Sequence, residues 1–287
     1  MGRRIALLFH ESDRNRDLSA YAVSRLVPVW RQDGHEVVPV FGAETFVPAD
    51  LAFVHVDLSE VPEAYLDLAA RYPASVNGRV RSIRKSAYSP HLLREGDPWE
   101  GPVIVKSDRN YGGAPEAQRR IPRLDGQGLE PPFASPFHYQ VLPGLDAVPK
   151  EVFGSPDFVV QRFLPELEEG LFHVRSYAFL GDWGECQRLA SDDPIVKAET
   201  KVSSAPTPVH PEILALRRNL GFDYGKIDYL LHGDELVLLD LNKTTGSRGP
   251  ARSANPHRAS ARAAKARGLY SLFPDSPQAV AGTSGTR

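Results

Sequence analysis

The residues best suited to chemistry in this 287-residue chain are three oxygen-bearing side chains in its last third. Asp228 precedes a Gly-Asp turn, and Asp240 with Asn242 follows it. The apolar runs 227–231 and 236–241 on either side of the turn predict a β-hairpin. Asp240 and Asn242 are two positions apart and therefore lie on one face of a strand, where Asp228 can meet them. The spacing predicts a cation site.

Such a site suits Mg2+ better than a softer metal. Carboxylate and amide oxygens without His or Cys are typical ligands of hard ions, which complete their coordination with water and phosphate oxygens. The apolar neighbours of Asp240 also favour a functional role, because an unpaired carboxylate is costly to bury. The simpler alternative is that Asp234 belongs only to the turn and that Asp228 is a solvated strand residue.

Two lysines and a glycine pair are candidates to bind phosphate. The segment VIVKSDRNYGG predicts a strand that ends in Lys106 and a loop that closes on Gly112 and Gly113. Glycines let backbone amides approach an anion closely, and a lysine adds a point charge. Lys85 is a second candidate lysine. The residue order differs from that of a P-loop, and a plain turn and exposed lysines are the alternatives.

A nucleotide base could be read by the segment FVVQRFLP, which covers residues 158–165. It predicts an apolar strand that breaks into a connector, where backbone N–H and C=O groups are free to pair with an adenine edge. Glu166, Glu168 and Glu169 follow, and one of them could accept hydrogen bonds from ribose hydroxyls. An ordinary core strand and a solvated acidic turn are the alternatives.

Further charged residues are candidates at the reacting end of a substrate. Arg175 and Arg188 lie on consecutive predicted strands, so both can face one cleft and hold phosphate or carboxylate oxygens bidentately. His10 and Glu11 follow the first predicted strand, which is where open parallel sheets place ligands. As isolated surface residues, all four would be unremarkable.

Composition excludes several classes of protein. The 34 basic and 36 acidic residues give a formal net charge of -2, which does not indicate a nucleic-acid or membrane partner. The single cysteine, Cys186, excludes an internal disulfide and a thiolate metal cluster. The amino-terminal apolar run is too short for a signal peptide, and no segment approaches a membrane span. A cytoplasmic location is expected.

Strand and helix patterns alternate over roughly the first eighty residues, which predicts a small parallel-sheet domain. The predicted strands are 4–9, 36–41, 51–56 and 74–76, and the predicted helices are 17–33, kinked at Pro28, and 62–71. Later strands at 102–106, 157–163, 173–180 and 185–189, and a helix at 211–220, lead to the hairpin. The proline-rich segment 114–149 carries no chemistry that we can assign.

Taken in this order, the motifs resemble the ATP-grasp superfamily, most closely its ribosomal-protein-modifying glutamate ligase-like branch. The most specific feature is the spacing of twelve residues from Asp228 to Asp240, with Asn242 two further on. The resemblance implies an α/β Rossmann-like domain followed by an α+β ATP-grasp fold, whose two subdomains clamp ATP. The implied divisions are residues 1–87, 88–160 and 161–273, with a disordered tail at 274–287.

The resemblance also implies a role for each candidate. ATP would be held at its α- and β-phosphates by Lys85 and Lys106, at the transferred phosphate by Gly112 and Gly113, and elsewhere by Gln161, Arg162, Phe163, Leu164 and Glu169. Mg2+, or Mn2+ in its place, would be held by Asp228, Asp240 and Asn242. Arg188 would lie beside the γ-phosphate and the developing acyl phosphate, with Arg175 nearby.

The implied activity is ATP-dependent ligation of a carboxylate to an amine through an acyl phosphate, with release of ADP and phosphate. The partners would be small-molecule or peptide substrates, and a homo-oligomer is compatible with the family. Two alternatives stay open: a phosphotransferase on the same fold, and a nucleotide-binding accessory protein without chemistry. Asp240 stands where the family commonly has Glu, and Arg162 where it often has an acidic residue, which keeps the last alternative open.

Overall fold

The computed structural model describes residues 2–122, 139–246 and 256–275, which form three β-sheets with short helices between them. The proline-rich segment 114–149 is therefore described only in part. The tail predicted to be disordered lies almost wholly outside the described residues, from 276 onward. None of the helices in the described ranges is long and apolar enough to cross a membrane.

The first sheet is parallel, with the strand order β2-β1-β3-β4, as the alternating pattern predicts. Its strands are β1 (Arg4–Phe9), β2 (Glu36–Phe41), β3 (Leu51–Val54) and β4 (Ser75–Val76), and its helices are α1 (Val27–Gln32) and α2 (Glu63–Ala70). β1 and β3 are buried almost throughout. That agrees with their continuous apolar sequences, because strands covered on both faces need no polar side.

The single kinked helix predicted over 17–33 is wrong. Two 3-10 turns, Leu18–Ala20 and Ala22–Arg25, precede α1 instead. Tyr21 between them is extended and forms an isolated bridge with Gly246, so a tertiary contact overrides the helical spacing. Pro28 lies in the first turn of α1, where its missing N–H costs nothing, and therefore it begins the helix rather than kinking it.

The second sheet is antiparallel, with the strand order β5-β8-β6-β7. Its strands are β5 (Leu92–Leu93), β6 (Val103–Ser107), β7 (Val141–Leu142) and β8 (Phe158–Arg162), and the nearby helices are α3 (Lys85–Tyr88), α4 (Ala114–Gln118) and α5 (Lys150–Phe153). Apolar side chains of β6 and β8 pack in one core with Val152 of α5. This core leaves Lys106 near the end of β6.

The third sheet has six strands in the order β12-β11-β10-β13-β14, with β9 paired to β10. The strands are β9 (Glu166–Glu168), β10 (Leu171–Leu180), β11 (Trp183–Ser191), β12 (Ser203–Pro206), β13 (Tyr224–His232) and β14 (Glu235–Asn242). Helix α6 (Pro211–Leu220) contributes Ile213 to the apolar core on one face of this sheet. Both α6 and the β13–β14 hairpin confirm the sequence prediction. The opposite face of the hairpin carries the polar residues.

A last helix, α7 (Pro256–Arg267), packs against the first sheet. Its Ala266 carbonyl accepts a hydrogen bond of 2.7 Å from the buried Trp30 indole, and Arg267 pairs with Asp33 at 2.8 Å. The same core includes Leu180 of β10. Helix α7 therefore ties the first sheet to the third.

Candidate functional site

The hairpin brings Asp228 and Asp240 directly opposite each other across β13 and β14. This pairing depends on a β-bulge, because the register shifts between Asp228 and Tyr229 and leaves Leu239 as the extra residue of β14. In the unshifted register, Asp240 would oppose Ile227, whose side chain lies in the apolar core. The bulge therefore turns Asp240 to the polar face that Asp228 shares.

Lys226 and Asn242 form the next cross-strand pair on this face. The Lys226 ammonium donates to Asp228 Oδ2 at 2.6 Å. The side-chain oxygen of Asn242 accepts a hydrogen bond of 3.0 Å from the backbone N–H of Thr244. Sequence reasoning missed Lys226, although its position two residues before Asp228, directly before the predicted strand 227–231, was the signal for it.

Both predicted phosphate lysines converge on the acidic pair. Lys85, at the start of α3, is buried, and its Nζ lies 3.3 Å from Asp240 Oδ1. Lys106 is also buried and donates to Gln161 Oε1 at 2.9 Å. The Gln161 amide in turn donates to the carbonyl of Leu238 at 3.1 Å. Gln161 thus links the second sheet to β14 through its side chain, and its contact with adenine stays a prediction.

Electrostatics tie Lys106 to the same cluster. Burial, and next to it the charge of Lys85, lowers the pKa of Lys106 to about 8, while Asp240 and Asp228 act in the opposite direction. Tyr88 donates to Asp240 at 3.5 Å, and burial raises the pKa of its phenol well above the usual value. The cleft between the second and third sheets therefore collects cationic and anionic side chains in a partly desolvated space.

The donor set fits Mg2+. Asp228 Oδ1 is buried and has no hydrogen-bond partner among the described residues, while Asp240 and Asn242 present oxygens on the same face. Within the described ranges no group of three or more His, Cys, Asp or Glu side chains could hold a metal, so the two carboxylates and the amide would need water and phosphate oxygens to complete an octahedron.

The glycine loop, residues 110–113, follows β6 and packs next to β14. Tyr111, Gly112 and Gly113 all have left-handed backbone angles, with φ of 49°, 65° and 74°. A side chain at Gly113 would be strained in this conformation. Tyr111 bears that strain and is 53% exposed, a combination that is found at functional sites. The loop's role as a cover for the transferred phosphate stays a prediction.

Of the remaining predicted nucleotide contacts, Arg162 and Phe163 have structural partners. Arg162 stacks on the Trp99 ring at 4.9 Å. The N–H groups of Arg162 and Phe163 donate to the carbonyls of His91 and Pro102 at 3.0 and 2.9 Å, so neither is free for an adenine edge. Leu164 is partly buried, and Glu169 lies exposed in the β9–β10 turn with φ of 51°.

Arg175 and Arg188 do not join the acidic pair. They oppose each other on β10 and β11, and Arg175 also opposes Tyr229, which faces the apolar core. Both arginines therefore lie on the face of the sheet away from Asp228. There Arg175 pairs with Glu166, and Arg188 donates to the same carboxylate at 2.8 Å. The two arginines therefore hold β9 to the third sheet.

No family model and no curated protein matches the chain. Solved structures similar to it include the RimK domain ATP-grasp protein of Sphaerobacter thermophilus, at 13% identity over 94% of this chain and 99% of that one, with a TM-score of 0.49. A D-alanine–D-alanine ligase of Bacillus anthracis is 11% identical over 99% of this chain and 100% of that one, with a TM-score of 0.45. The macrocyclase MdnC of Microcystis aeruginosa, bound with its precursor peptide MdnA, is 13% identical over 93% of this chain and 99% of that one, with a TM-score of 0.49. Likenesses this distant do not fix an activity.

Replacing Lys85 tests whether this lysine competes with a metal ion for the Asp240 carboxylate. Lys85→Met should tighten Mn2+ binding in the absence of nucleotide by about fivefold, because the ion pair between the buried lysine and the partly exposed carboxylate contributes about 1 kcal/mol and its loss frees Asp240. Electron paramagnetic resonance of Mn2+ gives the affinity directly. Lys150→Met, at an exposed lysine, is the matched control. Unchanged or weaker Mn2+ binding by Lys85→Met would contradict this arrangement.

Burial of Lys106 predicts a pH-dependent stability. Its pKa falls from 10.5 to about 8 on folding, so between these values the unfolded chain binds more protons and wild-type stability gains as pH rises. The difference in unfolding free energy between wild type and Lys106→Met should therefore increase in favour of wild type, by up to about 3 kcal/mol, as the pH rises from 8 to 10. Urea unfolding at several pH values measures it. A flat difference, as expected for Lys150→Met, would show that Lys106 is not desolvated.

Glu166 should stabilise the attachment of β9 to the third sheet in a pH-dependent way. Burial alone would raise its pKa, but the hydrogen bond from the Leu231 N–H and the two arginines outweigh burial and lower it below 4.5. Its contribution is thus complete above pH 4.5 and is lost as pH falls through the lower value. We expect Glu166→Gln to lose about 2 kcal/mol of unfolding free energy at pH 7, and this deficit to shrink in acid. A deficit independent of pH would refute the ionic role.

Proposed function

We propose that this protein is an ATP-dependent carboxylate–amine ligase of the ATP-grasp type. The observation that carries the proposal is the convergence of two buried lysines, Lys85 and Lys106, on the opposed pair Asp228 and Asp240. Lysines bind phosphate oxygens and paired carboxylates bind the accompanying cation, so this cluster has the charges needed to hold a nucleotide triphosphate.

The chain's own residues would act mainly by positioning. Lys85 and Lys106 would bind phosphate oxygens, and the backbone of the glycine loop would cover the transferred group. Lys226, next to Asp228, adds a third cation at the same face. Transfer of a phosphoryl group needs alignment and neutralised charge more than acid–base catalysis, and this inventory is of that kind.

Asp228, Asp240 and Asn242 would hold the metal ion. When bound, Mg2+ would neutralise charge on the transferred phosphate and the leaving ADP. In the free protein Lys226 and Lys85 balance the two carboxylates. Once a metal ion binds the two carboxylates, phosphate oxygens can pair with the two lysines instead. Both the acidic and the basic side chains would then have partners in the occupied site.

The reaction then has two steps. A substrate carboxylate oxygen attacks the γ-phosphorus, the bond to ADP breaks, and an acyl phosphate forms. An amine attacks the acyl carbon, loses a proton and displaces inorganic phosphate, which leaves an amide or peptide bond. Cys186 is an unsuitable nucleophile for an alternative route, because it is buried and burial raises the pKa of its thiol.

The role predicted for Arg175 and Arg188 beside the transferred phosphate draws no support from their placement on the other face, and it stays a prediction. Small-molecule or peptide substrates, Mn2+ as an alternative ion, a cytoplasmic location and a homo-oligomeric state belong to the same proposal. In this proposal, substrate selectivity would come from the first domain and from segment 114–149, of which residues 123–138 lie outside the described residues.

Trapping of the acyl phosphate tests the reaction. With ATP, Mg2+, hydroxylamine and a library of carboxylates, the protein should yield a hydroxamate and ADP. Asp240→Asn should reduce the yield about 100-fold, since metal neutralisation of charge is worth several kcal/mol, whereas Asp182→Asn, at an exposed turn, should not. Full activity of Asp240→Asn would refute the metal assignment, and a stable phosphorylated product that resists hydroxylamine would identify a phosphotransferase instead.

A further inference from the structure

Three consecutive residues after β3, here called segment 57–59, contact two separate parts of the candidate site. Asp57 Oδ1 accepts a hydrogen bond of 2.5 Å from the Thr244 hydroxyl. The carbonyl of Leu58 accepts one from the ammonium of Lys243, which is fully buried. Thr244 and Lys243 directly follow Asn242, so segment 57–59 holds the end of β14 that carries the predicted metal ligand.

Ser59 holds the glycine loop at both of its ends. Its hydroxyl oxygen accepts a hydrogen bond of 2.8 Å from the N–H of Asn110, where the loop begins. Its own N–H donates at 2.7 Å to the carboxylate of Glu116, in the helix that follows Gly113. Ser59, Asn110 and Glu116 are all buried, so these bonds are made out of contact with solvent, where they orient their partners most strongly.

The contact of Thr244 reaches the ligand itself. Its backbone N–H donates to Asn242 Oδ1 at 3.0 Å, while its hydroxyl is held by Asp57. Asp57 is contacted in turn at its second oxygen by the Tyr21 hydroxyl, at 3.3 Å, and by the Arg119 guanidinium, at 3.8 Å. A chain of hydrogen bonds therefore runs from Tyr21 through Asp57 and Thr244 to the side-chain oxygen of Asn242.

We infer that segment 57–59 is the positioning element that fixes the metal-ligand end of β14 and the glycine loop relative to each other. The inference rests on the proposed function and deepens it. Asp57 and Thr244 act on the metal through Asn242, and Ser59 acts on the nucleotide through the loop. None of these three side chains needs to touch substrate, since hydrogen bonds behind a ligand set its orientation and affinity.

These separate contacts predict two separate defects, one in metal binding and one in nucleotide binding. Thr244→Val keeps the shape of the side chain but loses the hydroxyl, so Mn2+ binding without nucleotide should weaken about tenfold, and Thr244→Ser should restore it. Ser59→Ala loses the acceptor for the Asn110 N–H, so the Kd of a non-hydrolysable ATP analogue should rise several-fold even at saturating Mg2+, while Mn2+ binding stays within about twofold of wild type.

The measurements are Mn2+ paramagnetic resonance, calorimetry with the analogue at saturating Mg2+, and thermal unfolding. Ser24→Ala is the matched control, because it also removes a side-chain hydroxyl that is hydrogen-bonded within the protein, here to the carbonyl of Leu18, which lies outside segment 57–59 and the glycine loop. Loss of one affinity in each variant, with rescue by Thr244→Ser, supports the inference. Equal loss of both affinities in both variants, or a fall in Tm alone, would overturn it.

Failure of the inference and failure of the proposed function have different signatures. If wild type binds Mn2+ and the analogue but Thr244→Val and Ser59→Ala bind both as wild type does, then segment 57–59 has no positioning role and the proposed function survives. If the folded wild type binds neither ligand, then the proposed function is wrong and this inference is overturned with it.

Discussion

One extra residue in β14 decides which side of the third sheet Asp240 faces. A strand shows successive side chains on alternate faces, so the bulge at Leu239 exchanges a carboxylate directed at the apolar core for one directed at Asp228. A carboxylate in that core would lack partners and would be costly to bury. The opposition of the two acids and the approach of Lys85 to Asp240 both depend on this local irregularity.

The charges of the site compensate one another in the free protein. Lys85 and Lys226 pair with the two aspartates, while Lys106 is desolvated and held by a neutral amide. A low-dielectric cleft makes each pairing stronger and each unpaired charge more expensive. A metal alone or a phosphate alone would therefore leave some charge without a partner, whereas both together restore balance. We expect the two ligands to bind cooperatively for this reason.

Local patterns predicted what depends on local sequence. The hairpin, helix α6 and the buried strands of the first sheet followed from apolar periodicity and turn residues. The bulge was not visible, because β-pairing register is set across strands. For the same reason, the sequence did not show that Arg175 lies on the opposite face, since its face depends on which residue of β10 pairs with Asp228. The approach of Lys85 to Asp240 depends on packing between sheets, which no spacing in the sequence encodes.

ATP binding measured by calorimetry, with and without Mg2+, tests the central claim most directly. Wild type should bind ATP more tightly when Mg2+ is present, and both Asp240→Ala and Lys106→Ala should weaken that binding, with Lys150→Ala as the control. These results would show that the acids and lysines gathered in the cleft form one nucleotide site. Absence of ATP binding by the intact folded chain, or binding that neither variant changes, would contradict the account.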